Sequence, residues 1–321
     1  MMTTNNQQKT NSFANTLASD FYKLGKMKSV YIGAAIMLAL ILISFAVFWL
    51  QVGDAKKSIS IANDTYAAVQ ADSSSTQEQI DAAAAAVETA NKGLDEVMAN
   101  AHGNLFSFAS LVNLELMLAI IIGIFVGKDF SNGTVRLTVA RGASRLHIYF
   151  SKFIVMATLL LGYMLGALLV CGIFTAVEGY GTPAFDGVQF ARLMRTFALS
   201  YVALLSAGSI FLMLAFLTRS SGAALGASLG FYILIGVIVS ILSVRFAIVS
   251  IVGGIVGNDE ALQEDKLYQA LSYLPMQQMS YCISDKSMKV GEAMKLLFMP
   301  IAYTLLSSFV GIITFVKRDI K

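Results

Sequence analysis

Apolar runs of 21 to 25 residues alternate with polar segments along the chain, and six of these runs are free or nearly free of charge: 29–50, 105–127, 153–177, 196–218, 222–245 and 296–316. At about 1.5 Å per residue, each is long enough to cross a hydrocarbon layer of roughly 30 Å as a helix. The pattern predicts an all-α integral membrane protein with six transmembrane helices, and six crossings put both termini on one side.

The polar segments have patterns of their own. Residues 1–12, rich in Asn, Gln and Thr, are expected to lack regular structure. Phe13, Leu17, Phe21, Leu24 and Met27 then recur at helical spacing with lysines beside them, so 1–28 reads as a tail and a helix lying in the membrane interface. Between the first two spans, 51–104 reads as a soluble helical hairpin. Ile59, Ala62, Tyr66 and Val69 keep one face, Asp72 to Ser75 form a turn, and Ser75 with Glu78 makes a capping box. Ile80, Val87 and Leu94, with Ala83, Ala84, Val97 and Met98, then continue as an antiparallel coiled-coil stripe. After the fifth span, Phe246 to Gly257 is too short to cross again and reads as a re-entrant or interfacial piece opening the segment 246–295.

Charge orients this arrangement. With the N-terminus inside, the inner segments hold 13 Lys+Arg against 3 acidic residues, and the outer segments hold 9 against 16, with Arg245 and Glu115 left within spans. That asymmetry places both termini in the cytoplasm and the hairpin outside the cell membrane. Composition agrees with a multi-pass protein, with 56% hydrophobic and 13% charged residues. The net charge of +3 fits loops facing an anionic leaflet and gives no reason to invoke nucleic acid. Cys171 and Cys282 are too isolated for a disulfide framework or a metal site.

Candidate chemistry is sparse. Neither Gly25–Lys26 nor Gly127–Lys128 has the earlier glycine of a phosphate-binding loop, so any ATP and Mg would be held by another chain. The spans offer no nucleophile facing a base, which argues against an enzyme. Glu115 is the carboxylate left within a span, and it is expected to be a structural partner of a neighbouring helix or part of a polar substrate path. Glycines repeat at intervals of four, as Gly123/Gly127, Gly162/Gly166 and Gly222/Gly226/Gly230, and these predict faces where helices approach closely, within the subunit or at a dimer seam. The basic segment 128–152 carries Lys128, Arg136, Arg141, Arg145 and Lys152 against Asp129 alone, and its turn cluster Ser131–Thr134 fits a short helix or two on the membrane surface.

In that segment the chain resembles the transmembrane permease subunits of type-two ABC exporters. Asp129, the Gly133–Thr134 pair, Arg136, the Ser144–Arg145 pair and Lys152 stand where such permeases show an acidic residue, Gly-Thr, a basic or polar residue, Ser-Arg and Lys. Many members carry Pro before the Ser-Arg pair, and this chain has Ala143. The resemblance implies that 128–152 is a coupling element for a separate ATPase, with Asp129, Gly133, Thr134, Arg136, Arg141, Ser144, Arg145 and Lys152 as its residues. It further implies two ATPase subunits, a second permease that is identical or homologous, contact with membrane lipid, and an amphipathic cargo such as a peptide, an antibiotic or a lipid-like compound. A different class of function is a non-transporting membrane sensor or scaffold whose outer hairpin binds a ligand.

The charge asymmetry is testable by cysteine labelling in intact cells. Cysteines at Ser74 and Asp265 are expected to react with a membrane-impermeant maleimide, and one at Ser131 is expected to stay unlabelled. Labelling at Ser131 would reverse the orientation.

Overall fold

A computed structural model describes residues 3–72, 74–110, 114–177, 187–256, Leu274 and 290–317. Every element among them is a helix: α1 Thr3–Lys26, α2 Lys28–Ala71, α3 Gln77–Ser110, α4 Leu114–Ser131, α5 Thr134–Ala140, α6 Arg145–Val177, α7 Gly187–Thr218, α8 Ser221–Val256 and α9 Val290–Lys317. Five of them are long and apolar enough to cross a membrane, those containing 28–71, 145–170, 194–218, 221–245 and 294–317. On that ground the chain is an integral membrane protein. These five cover all the expected spans except 105–127, which falls partly on α3 and partly on α4, with 111–113 between them outside the described residues. The expected acidic outer loop and Cys282 also lie outside the described residues.

Several boundaries differ from the sequence pattern for physical reasons. α1 begins at Thr3, because the polar tail contains neither Gly nor Pro to stop a helix once the apolar stripe has nucleated one. α8 runs unbroken from Ser221 to Val256, so Phe246–Val256 continues the helix of the fifth apolar run instead of forming a separate re-entrant piece. Arg245 lowers hydropathy without interrupting backbone hydrogen bonding, and a charge break in a sequence is not a helix break. α2 likewise passes through the polar residues after Leu50 without a stop.

The chain divides into two compact units, one formed by 36–110 and 166–190, the other by 1–35, 111–165 and 191–321. In the first, the expected helical faces are half-buried: Ile59, Ala62, Tyr66 and Val69 on α2, then Ile80, Ala83, Val87, Leu94 and Val97 on α3, with Ala84 exposed. The turn joining α2 to α3 is built by Asp72, whose carboxylate accepts from the Ser74 amide at 2.9 Å and its hydroxyl at 2.7 Å. Those two hydrogen bonds hold the Asp72 carboxyl below its usual range. One arm of a capping box forms, shifted one residue from Ser75/Glu78. The Thr76 amide donates to the Gln79 side chain at 2.9 Å, and the Thr76 carbonyl accepts from the Ile80 amide at 3.2 Å.

The second unit is organised around α4, in which 12 of 18 residues are buried. Its glycines are contact points with α8. A Cβ at Gly123 would sit 2.9 Å from the Leu225 Cα, and one at Gly127 would sit 2.5 Å from the Ser221 Cα. Four residues forward on α4 thus match four residues back on α8, which makes the pair antiparallel. The other predicted stripes behave differently. Gly162, Gly222, Gly226 and Gly230 face open space among the described residues, and Gly166 has only ordinary contact with Met37. Close approach also occurs where no repeat announced it, at Gly208 against Met156 and at Gly311 against the Tyr149 ring. At the end of α4 an aromatic cluster of Phe130, Tyr149, Phe216 and Phe315 joins α4, α6, α7 and α9, with ring centroids 4.9–6.0 Å apart.

Leucine at Gly127 is therefore expected to overpack the α4–α8 contact and destabilise the protein by about 1–3 kcal/mol. Leucine at Gly226 should be tolerated. Thermal unfolding followed by fluorescence-detected size exclusion compares the two, and equal melting would remove the contact's special role.

Candidate functional site

The stripe on α1 supplies the first part of the site. Phe13, Leu17 and Leu24 turn inward as expected, but Phe21 is exposed and Asp20 takes the inward position in its place. A carboxylate on an apolar face needs a partner. Its partner is Lys152 on α6, the most deeply buried cation among the described residues, with 2% of its surface exposed.

The Lys152 ammonium donates to Asp20 at 2.8 Å and to Asp129 of α4, and it sits 4.0 Å from the centre of the Phe125 ring. Three directions around the nitrogen are thus occupied by two carboxylates and an aromatic face. Ser151 donates to the other oxygen of Asp20 at 2.7 Å. Lys23, one turn beyond Asp20, donates to Asp129 at 3.1 Å and lies 3.6 Å from Asp20. Two carboxylates and two ammonium groups form a neutral, closed network joining α1, α4 and α6. Lys23 is a third exposed, so its pairs contribute little next to those of Lys152.

Asp129 and Lys152 bracket α5. Gly133 precedes it in the left-handed region, at φ 68°, and Gly142 follows it at φ 93°. A side chain would meet nothing within 4 Å at either glycine, so each is required for its backbone angle and not for space. After α5 the Gly142 amide donates to Val139 at 2.9 Å and the Ala143 amide to Thr138 at 3.2 Å, the double hydrogen bond of a Schellman motif. Ala143, just before the Ser144–Arg145 pair, is buried. Ser144 then caps α6, its hydroxyl accepting from the His147 amide at 3.1 Å.

The residues read from sequence as one coupling surface thus divide by role. Asp129 and Lys152 are buried in the charge network, Gly133 shapes the turn, and Ser144 caps α6. Thr134 opens α5, its carbonyl accepting from the Thr138 hydroxyl at 2.8 Å. Arg145 donates to the carbonyls of Phe315 at 3.1 Å and Val316 at 2.7 Å, closing the C-terminal end of α9, where a cation also meets the negative end of the helix dipole. Arg136 and Arg141 project outward with Leu137 between them, 58% exposed. Arg219, in the left-handed region at φ 54°, reaches the Thr314 carbonyl at 3.4 Å, so α9 ends among two arginines.

Glu115 stands in the first turn of α4, buried, and its Oε1 has no hydrogen-bond partner. Among the described residues no three His, Cys, Asp or Glu side chains come together to hold a metal.

Sequence reasoning missed Asp20 and Lys23 as members of the site. The signal was present: each strongly basic inner segment, 1–28 and 128–152, contains a single carboxylate, and these two carboxylates meet at one lysine.

Removing Lys152 as Met leaves two buried carboxylates with only the partly exposed Lys23 as counter-ion and is expected to cost about 3–5 kcal/mol. Adding Asp20→Asn and Asp129→Asn to Lys152→Met should restore most of it. Thermal unfolding of the single and triple variants is the check, and a single variant as stable as wild type would show that the network does not hold α1.

No curated protein matches the chain. A family model does, described as "Protein of unknown function (DUF2705)", and it matches residues 75–321. The match begins after α2, so Asp129, Ser151 and Lys152 lie inside it while Asp20 and Lys23 precede it. Covering well over half of the sequence, it establishes that the chain belongs to the DUF2705 family.

Proposed function

We propose that the chain is the permease subunit of an ATP-driven exporter of the type-two ABC class, with α5 as the element that seats in a separate ATPase subunit. One observation carries this reading: a seven-residue helix is held between two left-handed glycines, with Arg136, Leu137 and Arg141 outward and both of its roots in the buried Asp129–Lys152 pair. A helix fixed at both ends is suited to receive a push. A surface of two guanidinium groups around one leucine suits a groove with acidic or carbonyl groups at its rim and an apolar floor. Closure of ATPase subunits would then move α4 and α6 as rigid bodies instead of bending a loop.

In this proposal the segment from the end of α3 through α4 is a sixth crossing, both termini and α5 lie in the cytoplasm, and the polar parts of α2 and α3 form a hairpin outside. The working assembly is two permeases, identical or homologous, with two ATPases that hold ATP and Mg. The exposed aliphatic side chains of the spans suit an amphipathic cargo.

The test separates surface from scaffold. Arg136→Glu with Arg141→Glu should leave thermal stability unchanged while removing the copurifying ATPase or its substrate-stimulated hydrolysis, since one lost desolvated charge contact costs about 2–5 kcal/mol. Arg145→Glu should instead lower stability, because it would place a carboxylate against the α9 carbonyls. Wild-type ATPase recovery and hydrolysis with Arg136 and Arg141 both reversed would overturn the coupling role of α5.

A further inference from the structure

The antiparallel register of α4 and α8 extends beyond their glycine contacts. Gly123 lies against Leu225 and Gly127 against Ser221. Eight residues before Gly123 is Glu115, and eight after Leu225 is Ile233. Ile233 is exposed, but its neighbour Tyr232 turns inward and is half-buried, close enough for the charge on Glu115 to act on it. Ser228, one turn nearer the glycine contact on the same face of α8, is fully buried, and its hydroxyl also has no hydrogen-bond partner. A buried carboxylate oxygen and a buried hydroxyl, both unpartnered, therefore lie on facing helices with a phenol ring level with the carboxylate.

Packing does not account for this group. The interior around it is tight enough that α4 touches α8 through glycines, yet the one carboxylate of the region forms no ion pair. An unpaired negative charge in an apolar surrounding is a costly arrangement unless a proton or a cation joins it. A metal would need further carboxylate, imidazole or thiolate ligands, and none gather here among the described residues. A carboxylate, an aromatic ring and a hydroxyl acceptor together match an organic ammonium group: the carboxylate balances the charge, the ring faces the cation and the hydroxyl accepts an N–H.

We infer that Glu115, with Tyr232 and Ser228, is the recognition point for the ammonium headgroup of a cationic amphipath. The inference rests on the exporter reading for its significance, since it assigns the charge of the cargo, but binding itself requires no ATPase.

The experiment uses the full chain in nanodiscs of zwitterionic lipid and two fluorescent probes, a dansyl-labelled dodecylammonium and the matching uncharged dansyl-labelled alcohol, with empty discs as the background. Wild type is expected to bind the ammonium probe more tightly than the alcohol. Glu115→Gln, which keeps the shape, should weaken ammonium binding by roughly 30-fold or more, equivalent to about 2 kcal/mol, and leave the alcohol unchanged. Tyr232→Leu, at a half-buried position, should weaken the ammonium probe alone and serves if the Gln variant fails to fold. Equal binding of the two probes by wild type would mean that Glu115 carries only a proton, and unchanged ammonium binding in both variants would place recognition elsewhere. Either result overturns the proposal. A chain that discriminates the probes but recruits no ATPase would leave the site standing and remove the exporter.

Discussion

A lysine ammonium with almost no access to water is the constraint on which the packing of α1, α4 and α6 depends. Lys152 on α6 is tolerated inside because two carboxylates and an aromatic face surround it, and those groups come from two other helices, α1 and α4. The charge thus dictates position. α1 must place Asp20, α4 must end with Asp129 pointing inward, and α6 must begin early enough for Lys152 to stand one and a half to two turns into it. The aromatic cluster of Phe130, Tyr149, Phe216 and Phe315 brings α7 and α9 to the same end. α5 hangs from this platform and makes few contacts of its own, which leaves its arginines free to face outward.

The most buried helix, α4, carries three charged residues. In a soluble protein the more apolar helix would be expected inside, but in a lipid-facing fold the outside is at least as apolar as the core, so hydropathy no longer sorts helices by depth. What sorts them is the need of polar groups for partners. α4 carries Glu115, Lys128 and Asp129 within 18 residues and packs in the middle, while α8, which has no charge before Arg245, exposes most of its length.

Much of this was legible in the sequence, and the failures have definable causes. Length and apolarity located five crossing helices, and the lone Asp129 within a basic segment marked the site. The turn between α2 and α3 was readable from Asp72, although Ser75 and Thr76 compete to cap α3 and the sequence pattern alone does not choose between them. Periodicity assigned Phe21 to the inner face of α1, because a hydropathy stripe cannot know that a carboxylate one residue earlier has an ammonium waiting for it. The glycine repeats separate in the same way. Spacing says that a helix could be approached closely, but only the partner backbone at Leu225 and Ser221 makes Gly123 and Gly127 contact points.

The 132 residues separating Asp20 from Lys152 also set a schedule. Chains are synthesised at about 5–20 residues per second, so α1 leaves the ribosome roughly 7–26 s before its counter-ion exists. During that interval Asp20 has only water and the lysines of its own helix. Synthesis of α6 ends the wait. The locking of α1 thereby reports that the chain has been made at least through Lys152, and a nascent chain arrested earlier would present an unmatched carboxylate on an amphipathic helix.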